Sequence, residues 1–247
     1  MALIHLNHLS MQKGCQCNVT VILPTDGMDQ KHDGSSFMAP GMLYQTLWLL
    51  HGGGGDDSDW VNFSNIVRYA NEHRLAVVMP AGKNFFEDDF AYITDELPRF
   101  LRLVLPLSDR REDNFICGLS HGGDAAMKAC FMYPDRYVAG LVMSAAGTDH
   151  KGPVSEAKLR FDVYGLAERN LKAGAAMPQL IFATGSGDRG MPYYVPVIDK
   201  IEEMGIPLIR HFVENDGHSW DFWDSTVRMA LREMLPLRHD VILPGKE

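Results

Sequence analysis

The residues of this chain that most clearly predict chemistry lie in a short glycine-rich segment near its middle. An apolar run from Phe115 to Cys117 leads into the pattern Gly-X-Ser-X-Gly at residues 118–122, and helix-forming sequence follows. A serine on such a tight turn between a strand and a helix is held in a strained conformation with its hydroxyl exposed. The unpaired N–H groups and the positive dipole end of the helix N-terminus favour the oxyanion that forms when an acyl carbonyl is attacked. Ser120 is therefore the predicted nucleophile.

A Gly-X-Ser-X-Gly pattern also arises by chance in a chain with 23 glycines, so the neighbouring segments decide its meaning. Upstream, the apolar run that begins at Tyr44 ends in a His-Gly-Gly-Gly-Gly turn at residues 51–55, which is typical of a loop that supplies an N–H donor to an oxyanion. Downstream, Asp188 follows one strand-like run and His218 follows the next. This order of nucleophile, acid and histidine is the order that α/β-hydrolases use.

Several residues of the chain are candidates for the catalytic acid and for the catalytic base. His218 is one of ten histidines, and it follows the last predicted strand in a glycine-bearing loop. Asp216 and Asp221 are the alternatives to Asp188, but both lie within three residues of His218, too close along the chain to reach behind its ring easily. We therefore predict Asp188, at the end of the preceding strand, as the acid.

These residues need a sheet to position them, and strand-like runs alternate with helical patterns over most of the chain. The predicted strands are Leu3–Leu6, Cys15–Leu23, Thr46–Leu50, Ala76–Met79, Phe115–Cys117, Val138–Ser144, Gln179–Thr184 and Leu208–Val213. Most of the later runs are continuously apolar, as in parallel strands buried on both faces, whereas residues 15–21 alternate as in an edge hairpin. The pattern predicts a mainly parallel, doubly wound α/β sheet flanked by helices, in a single domain over residues 1–247.

Apolar stripes predict the helices between these strands. One helix should follow Ser58, the expected N-cap, with Trp60 to Ala70 forming its buried face. A second should include residues 93–104, and Pro98 should kink it or mark its restart. The helix after the nucleophile should cover His121–Tyr133, and the last helix Ser219–Leu235.

Charge and hydropathy exclude several classes of partner. A net charge of −9 argues against nucleic acid and anionic membranes, which attract clustered Lys and Arg. No apolar run approaches the ~20 residues of a membrane-spanning helix, and the first residues do not resemble a signal peptide. The four cysteines are predicted to be reduced, and no His/Cys set has the spacing of a metal site, so we expect no metal and no other cofactor. We expect a cytoplasmic location, and a homo-oligomer is one of the open alternatives.

Four segments of the chain, considered together, carry a family resemblance. They are Leu49–Trp60, Ala76–Pro80, Cys117–Gly123 and Asp216–Trp223. In sequence and in order they resemble the esterase D family of α/β-hydrolases, which includes tributyrin esterases, S-formylglutathione hydrolases, feruloyl and acetylxylan esterases, and mycolyltransferases. The resemblance extends from about Asn18 to Leu235 and is greatest to the small tributyrin-esterase branch, because the chain has no long insertions. That branch commonly has Met where this chain has His121.

The resemblance implies an α/β-hydrolase fold and an oxyanion hole formed by the backbone N–H groups of Gly53 and His121. The link from Ala145 to Pro178 is where this fold usually builds a cap, and its length allows a small cap or none, which favours short acyl groups. Trp220 and Phe222 lie near His218 in sequence and are candidates for the substrate pocket, although such aromatic spacing is also typical of core packing. Trp220 is the residue that we take as the substrate-binding candidate.

The predicted function is a serine carboxylesterase that hydrolyses short-chain acyl esters of small molecules through an acyl-enzyme intermediate. Hydrolysis of a thioester, or of a sugar-linked acetyl or feruloyl ester, is an alternative that depends on the leaving-group side of the pocket. Acyl transfer to an alcohol is another alternative. A non-catalytic binding protein on the same fold is disfavoured because the serine, aspartate and histidine are all present.

Overall fold

An eight-stranded sheet runs through the residues that the computed structural model describes, namely 1–36, 38–148 and 153–238. The strands are β1 (Ala2–Ser10), β2 (Cys15–Leu23), β3 (Thr46–Leu50), β4 (Ala76–Pro80), β5 (Asn114–Leu119), β6 (Ala139–Met143), β7 (Gln179–Gly185) and β8 (Leu208–Val213). Their order across the sheet is β1-β2-β4-β3-β5-β6-β7-β8. The β1–β2 hairpin is antiparallel and β2 is antiparallel to β4, whereas the neighbours from β4 to β8 are parallel. The sheet is the mainly parallel one that the sequence predicts.

The apolar runs of the central strands are uninterrupted because helices cover both faces of the sheet. Every residue of β3, β4, β5 and β6 is buried. Since successive side chains point to opposite faces, Leu47 and Leu49 of β3 join one core while Trp48 and Leu50 join the other. At one edge of the sheet, β1 alternates between half-buried and exposed residues, as expected for a strand that packs on one face.

Helices pack on both faces of this sheet. The α-helices of the described residues are α1 (Met28–Asp33), which has no buried residue, α2 (Asp59–Phe63), α3 (Ile66–Glu72), α4 (Leu97–Val104), α5 (His121–Met132), α6 (Val163–Lys172), α7 (Met191–Glu203) and α8 (Trp220–Met229). Residues of α3 and α8 contribute to one core, and residues of α5, α6 and α7 to the other. A π-helical turn, Tyr92–Glu96, leads into α4, where Pro98 lies in the first turn. The α-helix therefore restarts beside Pro98, at Leu97, which is one of the two outcomes that the sequence predicts, because the first turn of a helix needs no N–H from proline.

The helix predicted after Ser58 is divided in two, which the sequence pattern does not indicate. Between α2 and α3, the Asn65 N–H donates to the carboxylate of Asp224 at 2.7 Å, and this contact with α8 replaces a helical hydrogen bond. As a result Trp60 is buried but Phe63 is 57% exposed, so the two do not share the predicted buried face. Ser58 occupies the N-cap position of α2, and its hydroxyl donates to Asp56 instead of capping the helix.

The link between β6 and β7 carries α6, which packs against α5. Elsewhere in the described part of this link, Val154–Glu156 form a short turn of 3-10 helix. Residues 149–152 of the link lie outside the described part of the chain. None of the helices in the described ranges combines the length and the apolar character that crossing a bilayer requires.

Candidate active site

The predicted nucleophile lies on the sharp turn between β5 and α5. Ser120 has φ 53° and ψ −119°, a left-handed conformation that is strained for a residue with a side chain. Its own N–H donates to the carbonyl of Met143 in β6 at 2.9 Å, which ties the turn to the neighbouring strand. A Cβ at Gly118 would lie 2.2 Å from the Gly122 carbonyl oxygen, and one at Gly122 would lie 2.4 Å from the His51 carbonyl oxygen. Both glycines are therefore required by close backbone packing around the turn.

Asp188 and His218 are hydrogen-bonded partners. Asp188 follows β7, His218 follows β8, and 2.9 Å separate the aspartate Oδ2 from the histidine Nδ1. The aspartate side chain is 3% exposed and the histidine side chain 44%, so the carboxylate lies inside the protein and the ring faces outward. The second carboxylate oxygen accepts the N–H of Gly190 at 2.8 Å. Burial raises the pKa of Asp188, but hydrogen bonds from His218, Gly190 and Ser144 outweigh it and hold the pKa below its ordinary value.

Ser144 and Trp223 support this pair, and the sequence analysis did not find either of them. The Trp223 indole Nε1–H donates to the Ser144 hydroxyl at 3.0 Å, and that hydroxyl is in turn hydrogen-bonded to Asp188. The Trp223 ring also meets the His218 ring edge to face, with centroids 4.9 Å apart. One tryptophan thus fixes the imidazole by direct contact and its carboxylate partner through a serine. Trp223 ends the Asp216–Trp223 segment of the family resemblance, which did not indicate this role, and Ser144 belongs to no motif.

The alternatives for the acid are placed differently. Asp216 lies in the loop before His218, and its backbone carbonyl accepts the N–H of Gly187 at 2.8 Å. Asp221 is exposed in the first turn of α8. Neither forms the Nδ1 contact that Asp188 makes with His218.

Gly53 and His121, the predicted oxyanion-hole residues, are neighbours. A Cβ at Gly53 would lie 2.9 Å from the Nδ1 atom of His121, so the loop after β3 contacts the start of α5. Buried His51 holds this loop: its Nδ1–H donates to the Gly52 carbonyl at 2.6 Å, and its Nε2 accepts the N–H of Gly82 at 3.3 Å. In a trans peptide the C=O and the following N–H point in opposite directions, so this bond turns the Gly53 N–H away from the His51 ring. Burial lowers the pKa of His51, which keeps the ring neutral and Nε2 able to accept.

Ser120, His121, Asp188 and His218 all line one cavity of about 540 Å³. Its other side chains are those of Asp124, Ser144, Ala146, Arg160 and Arg189. Most of these residues are polar, and among the described lining residues only Ala146 has an apolar side chain. Four predicted residues from three separate segments of the sequence therefore line one surface depression.

A buried ion pair forms part of the wall of this cavity. Arg160 Nη1 lies 2.6 Å from the Asp124 Oδ2, and the two side chains are 11% and 1% exposed. The other oxygen of Asp124 accepts the Gly147 N–H at 2.7 Å, and Arg160 Nε donates to the Thr148 carbonyl at 3.0 Å. Burial raises the pKa of Asp124 to about 6, against the opposing effect of Arg160. The pair attaches the segment after β6 to α5.

Trp220 is not among the described residues that line the cavity. Its ring packs against Trp60, Phe63 and Trp223, with centroids 5.1, 5.2 and 5.3 Å apart. The Trp223 ring that it contacts is the one that contacts the His218 ring. Phe222, the other aromatic candidate, is fully buried in the core. The aromatic spacing therefore reports packing around the histidine loop.

Comparison with known proteins gives the same class of enzyme. No family model matches the chain. An acetyl esterase of Caldicellulosiruptor saccharolyticus is 25% identical, and the alignment covers 95% of this chain and 98% of the relative. Two solved structures, fluorophosphonate-binding serine hydrolase F and the S-formylglutathione hydrolase FrmB, both of Staphylococcus aureus, superpose with a TM-score of 0.81 at 27% identity. In each case 95% of this chain and 98% of the other chain are covered.

Fold and relatives define the protein as a serine esterase with the α/β-hydrolase fold. More narrowly, the relatives are of the kinds that the esterase D resemblance implies, an acetyl esterase and an S-formylglutathione hydrolase, and they confirm that resemblance.

Proposed function

We propose that the protein is a carboxylesterase that uses Ser120, His218 and Asp188 as a catalytic triad to hydrolyse esters of short acyl groups. The observation that carries the proposal is the hydrogen bond of 2.9 Å between His218 and buried Asp188, in a cavity that also holds Ser120 on its strained turn. A general base oriented by a carboxylate beside a nucleophilic hydroxyl is the arrangement that acyl transfer requires.

In the proposed mechanism, Ser120 Oγ attacks the ester carbonyl and His218 Nε2 takes its proton. The imidazolium then gives this proton to the departing alkoxide, which leaves an acyl group on Ser120. Water attacks the acyl-enzyme with His218 again as base, and the proton returns to Ser120 Oγ as the acid is released. Asp188 holds the proton on Nδ1 and stabilises the imidazolium, so that Nε2 is free to accept.

The backbone N–H groups of Gly53 and His121 are proposed to bind the oxyanion of each tetrahedral intermediate. Their adjacency supports this role, as does the location of His121 at the N-terminus of α5, the positive end of the helix dipole. Each such donor contributes about 3 kcal/mol to the transition state.

Short acyl groups are favoured by the cavity and by the relatives. Among the described residues that line this cavity of about 540 Å³, Ala146 has the only apolar side chain, so they offer no row of apolar side chains to hold a fatty chain. A pocket gains about 0.8 kcal/mol per buried methylene only until it is full. The similar proteins are an acetyl esterase and an S-formylglutathione hydrolase, and both names describe acyl groups of one or two carbons. The name S-formylglutathione hydrolase describes a thioester substrate, so hydrolysis of a thioester is the alternative that we propose for this chain.

Steady-state kinetics test the proposal. We expect kcat/KM for p-nitrophenyl esters to be highest between acetyl and butyryl and to fall by octanoyl, and Ser120→Ala to remove this activity while the protein stays folded. A maximum at ten or twelve carbons would contradict the short-chain specificity. Undiminished turnover by Ser120→Ala would contradict the mechanism. A thioester of the same acyl group, measured in parallel, decides between an ester and a thioester as the better substrate.

A further inference from the structure

The charged groups around the cavity are unequally available to a ligand. Both carboxylates of the wall are buried, with side chains 1% exposed for Asp124 and 3% for Asp188. Asp124 is occupied by Arg160 and the Gly147 N–H, and Asp188 by its own hydrogen bonds. Among the described residues that line the cavity, a substrate therefore meets no carboxylate oxygen that lacks a donor.

Arg189, unlike these two carboxylates, is a charged side chain that a ligand can reach. It follows Asp188 directly, lines the cavity and is exposed, and within residues 1–36, 38–148 and 153–238 its guanidinium has neither a carboxylate within 4 Å nor a hydrogen-bond acceptor. Many other arginines of this acidic chain are occupied: Arg210 pairs with Asp199 and Glu202, for example. Although the chain has a net charge of −9, an exposed arginine that has no acidic partner among the described residues therefore lines the catalytic cavity.

Arg160 adds a second guanidinium group to the wall of the cavity. Its Nε and Nη1 are occupied by Thr148 and Asp124, and these bonds hold the guanidinium rigidly in the cavity wall beside the Phe86 ring. Two guanidinium groups thus line a cavity whose carboxylates are already satisfied. Guanidinium groups bind carboxylates with two parallel hydrogen bonds, which are stronger than bonds between neutral groups.

We propose that the cavity selects esters that carry a second, ionised carboxylate, and that Arg189 binds this group. The inference rests on the proposed function, because it concerns the substrate of the same site. The carboxylate is carried either by the acyl group or by the alcohol, and the chemistry of recognition is the same in both cases.

Matched pairs of substrates test the inference on each side of the ester bond. For the acyl side, p-nitrophenyl hemisuccinate is compared with p-nitrophenyl butyrate. For the alcohol side, 4-acetoxybenzoate is compared with its methyl ester. The quantity measured is the ratio of kcat/KM for the anionic ester to that for the neutral ester, each corrected for its spontaneous hydrolysis, which for the hemisuccinate includes attack of its own carboxylate on the ester to form succinic anhydride.

We expect Arg189→Gln to lower this ratio on the order of tenfold on one side of the ester, as loss of one charge-assisted hydrogen bond partly exposed to water implies. Arg189→Lys should retain part of the preference, and added salt should weaken it in the wild type. Arg68→Gln is the control, because it removes the same charge from an exposed arginine of α3 and should leave the ratio unchanged.

The inference is overturned if Arg189→Gln leaves both ratios unchanged, or if Arg68→Gln lowers them equally, which would indicate a general charge effect. Turnover of the neutral esters separates this failure from failure of the proposed function. One outcome is that Ser120→Ala abolishes turnover of the neutral esters while Arg189→Gln leaves both ratios unchanged. In that case the esterase mechanism is supported and only the carboxylate preference is wrong. If no ester is hydrolysed in a Ser120-dependent manner, both are wrong.

Discussion

Replacement of Asp188 by Asn changes one atom of the carboxylate and should reverse the hydrogen-bonding direction of the histidine. The Gly190 N–H is a fixed donor to Oδ1 at 2.8 Å, so the amide oxygen of Asn must face Gly190 to avoid two opposed donors. The amide NH₂ then faces His218 Nδ1, where Oδ2 was 2.9 Å away. Nδ1 is forced to accept, the ring proton moves to Nε2, and Nε2 can no longer take the proton of Ser120.

The expected cost follows from this tautomer change. Loss of the correct tautomer, together with loss of the charge that stabilises the imidazolium, should lower kcat by about 10³–10⁴-fold, which corresponds to about 4–5.5 kcal/mol in the activation barrier. KM should change far less, since Asp188 is buried behind the histidine. The Asn side chain has nearly the same shape, so the fold should be retained.

The assay is the kcat of p-nitrophenyl acetate hydrolysis for Asp188→Asn, with Asp216→Asn and Asp221→Asn as controls and circular dichroism as a test of folding. Both controls remove one negative charge near His218 in sequence and should cost less than about tenfold, because neither carboxylate contacts Nδ1. A folded Asp188→Asn variant within tenfold of the wild type would refute the reasoning, and so would a large loss at Asp216.

Three further outcomes are expected. Trp223→Phe should lower kcat about tenfold while KM changes little, because Asp188 keeps its partner but Ser144 loses the indole donor; a change confined to KM would oppose this positioning role. Because the pKa of Asp188 is lowered in the fold, its stabilising contribution is present above the ordinary Asp pKa of about 4 and is lost as pH falls through the folded value, so urea denaturation should show the stability advantage of wild type over Asp188→Asn shrinking in acid. Activity should survive prolonged EDTA treatment, since no cluster of metal-ligating side chains occurs among the described residues, and loss that zinc restores would contradict a serine mechanism.

Elements with a strong local signal, such as a continuous apolar run between turn residues, could be predicted from the sequence. The strand from Thr46 to Leu50 was predicted with its observed bounds, because a continuously apolar run between turn residues is typical of a strand buried on both faces. The candidate residues that follow strand ends could also be predicted, since the carboxyl ends of parallel strands meet at one edge of the sheet. The proximity of Asp188 and His218 is a consequence of β7 and β8 being neighbours.

Features that depend on contacts between distant segments could not be predicted. The division between α2 and α3 comes from Asp224, a residue 159 positions away from Asn65, and no local pattern announces it. Ser144 and Arg160 acquire their contacts only when β6 and the following link pack against α5 and the histidine loop. Trp220 was predicted to contact the substrate from its distance along the chain, whereas its orientation is set by the other aromatic rings around it.

The central claim is that Ser120 is the nucleophile, and covalent labelling tests it most directly. Incubation with a fluorophosphonate followed by peptide mass spectrometry should give one equivalent of adduct on the peptide that contains Ser120, with loss of esterase activity in parallel. The adduct should be absent from a folded Ser120→Ala variant, whose kcat should be lower by about 10⁴-fold or more. Stoichiometric labelling of another residue, or full activity in the alanine variant, would contradict the account.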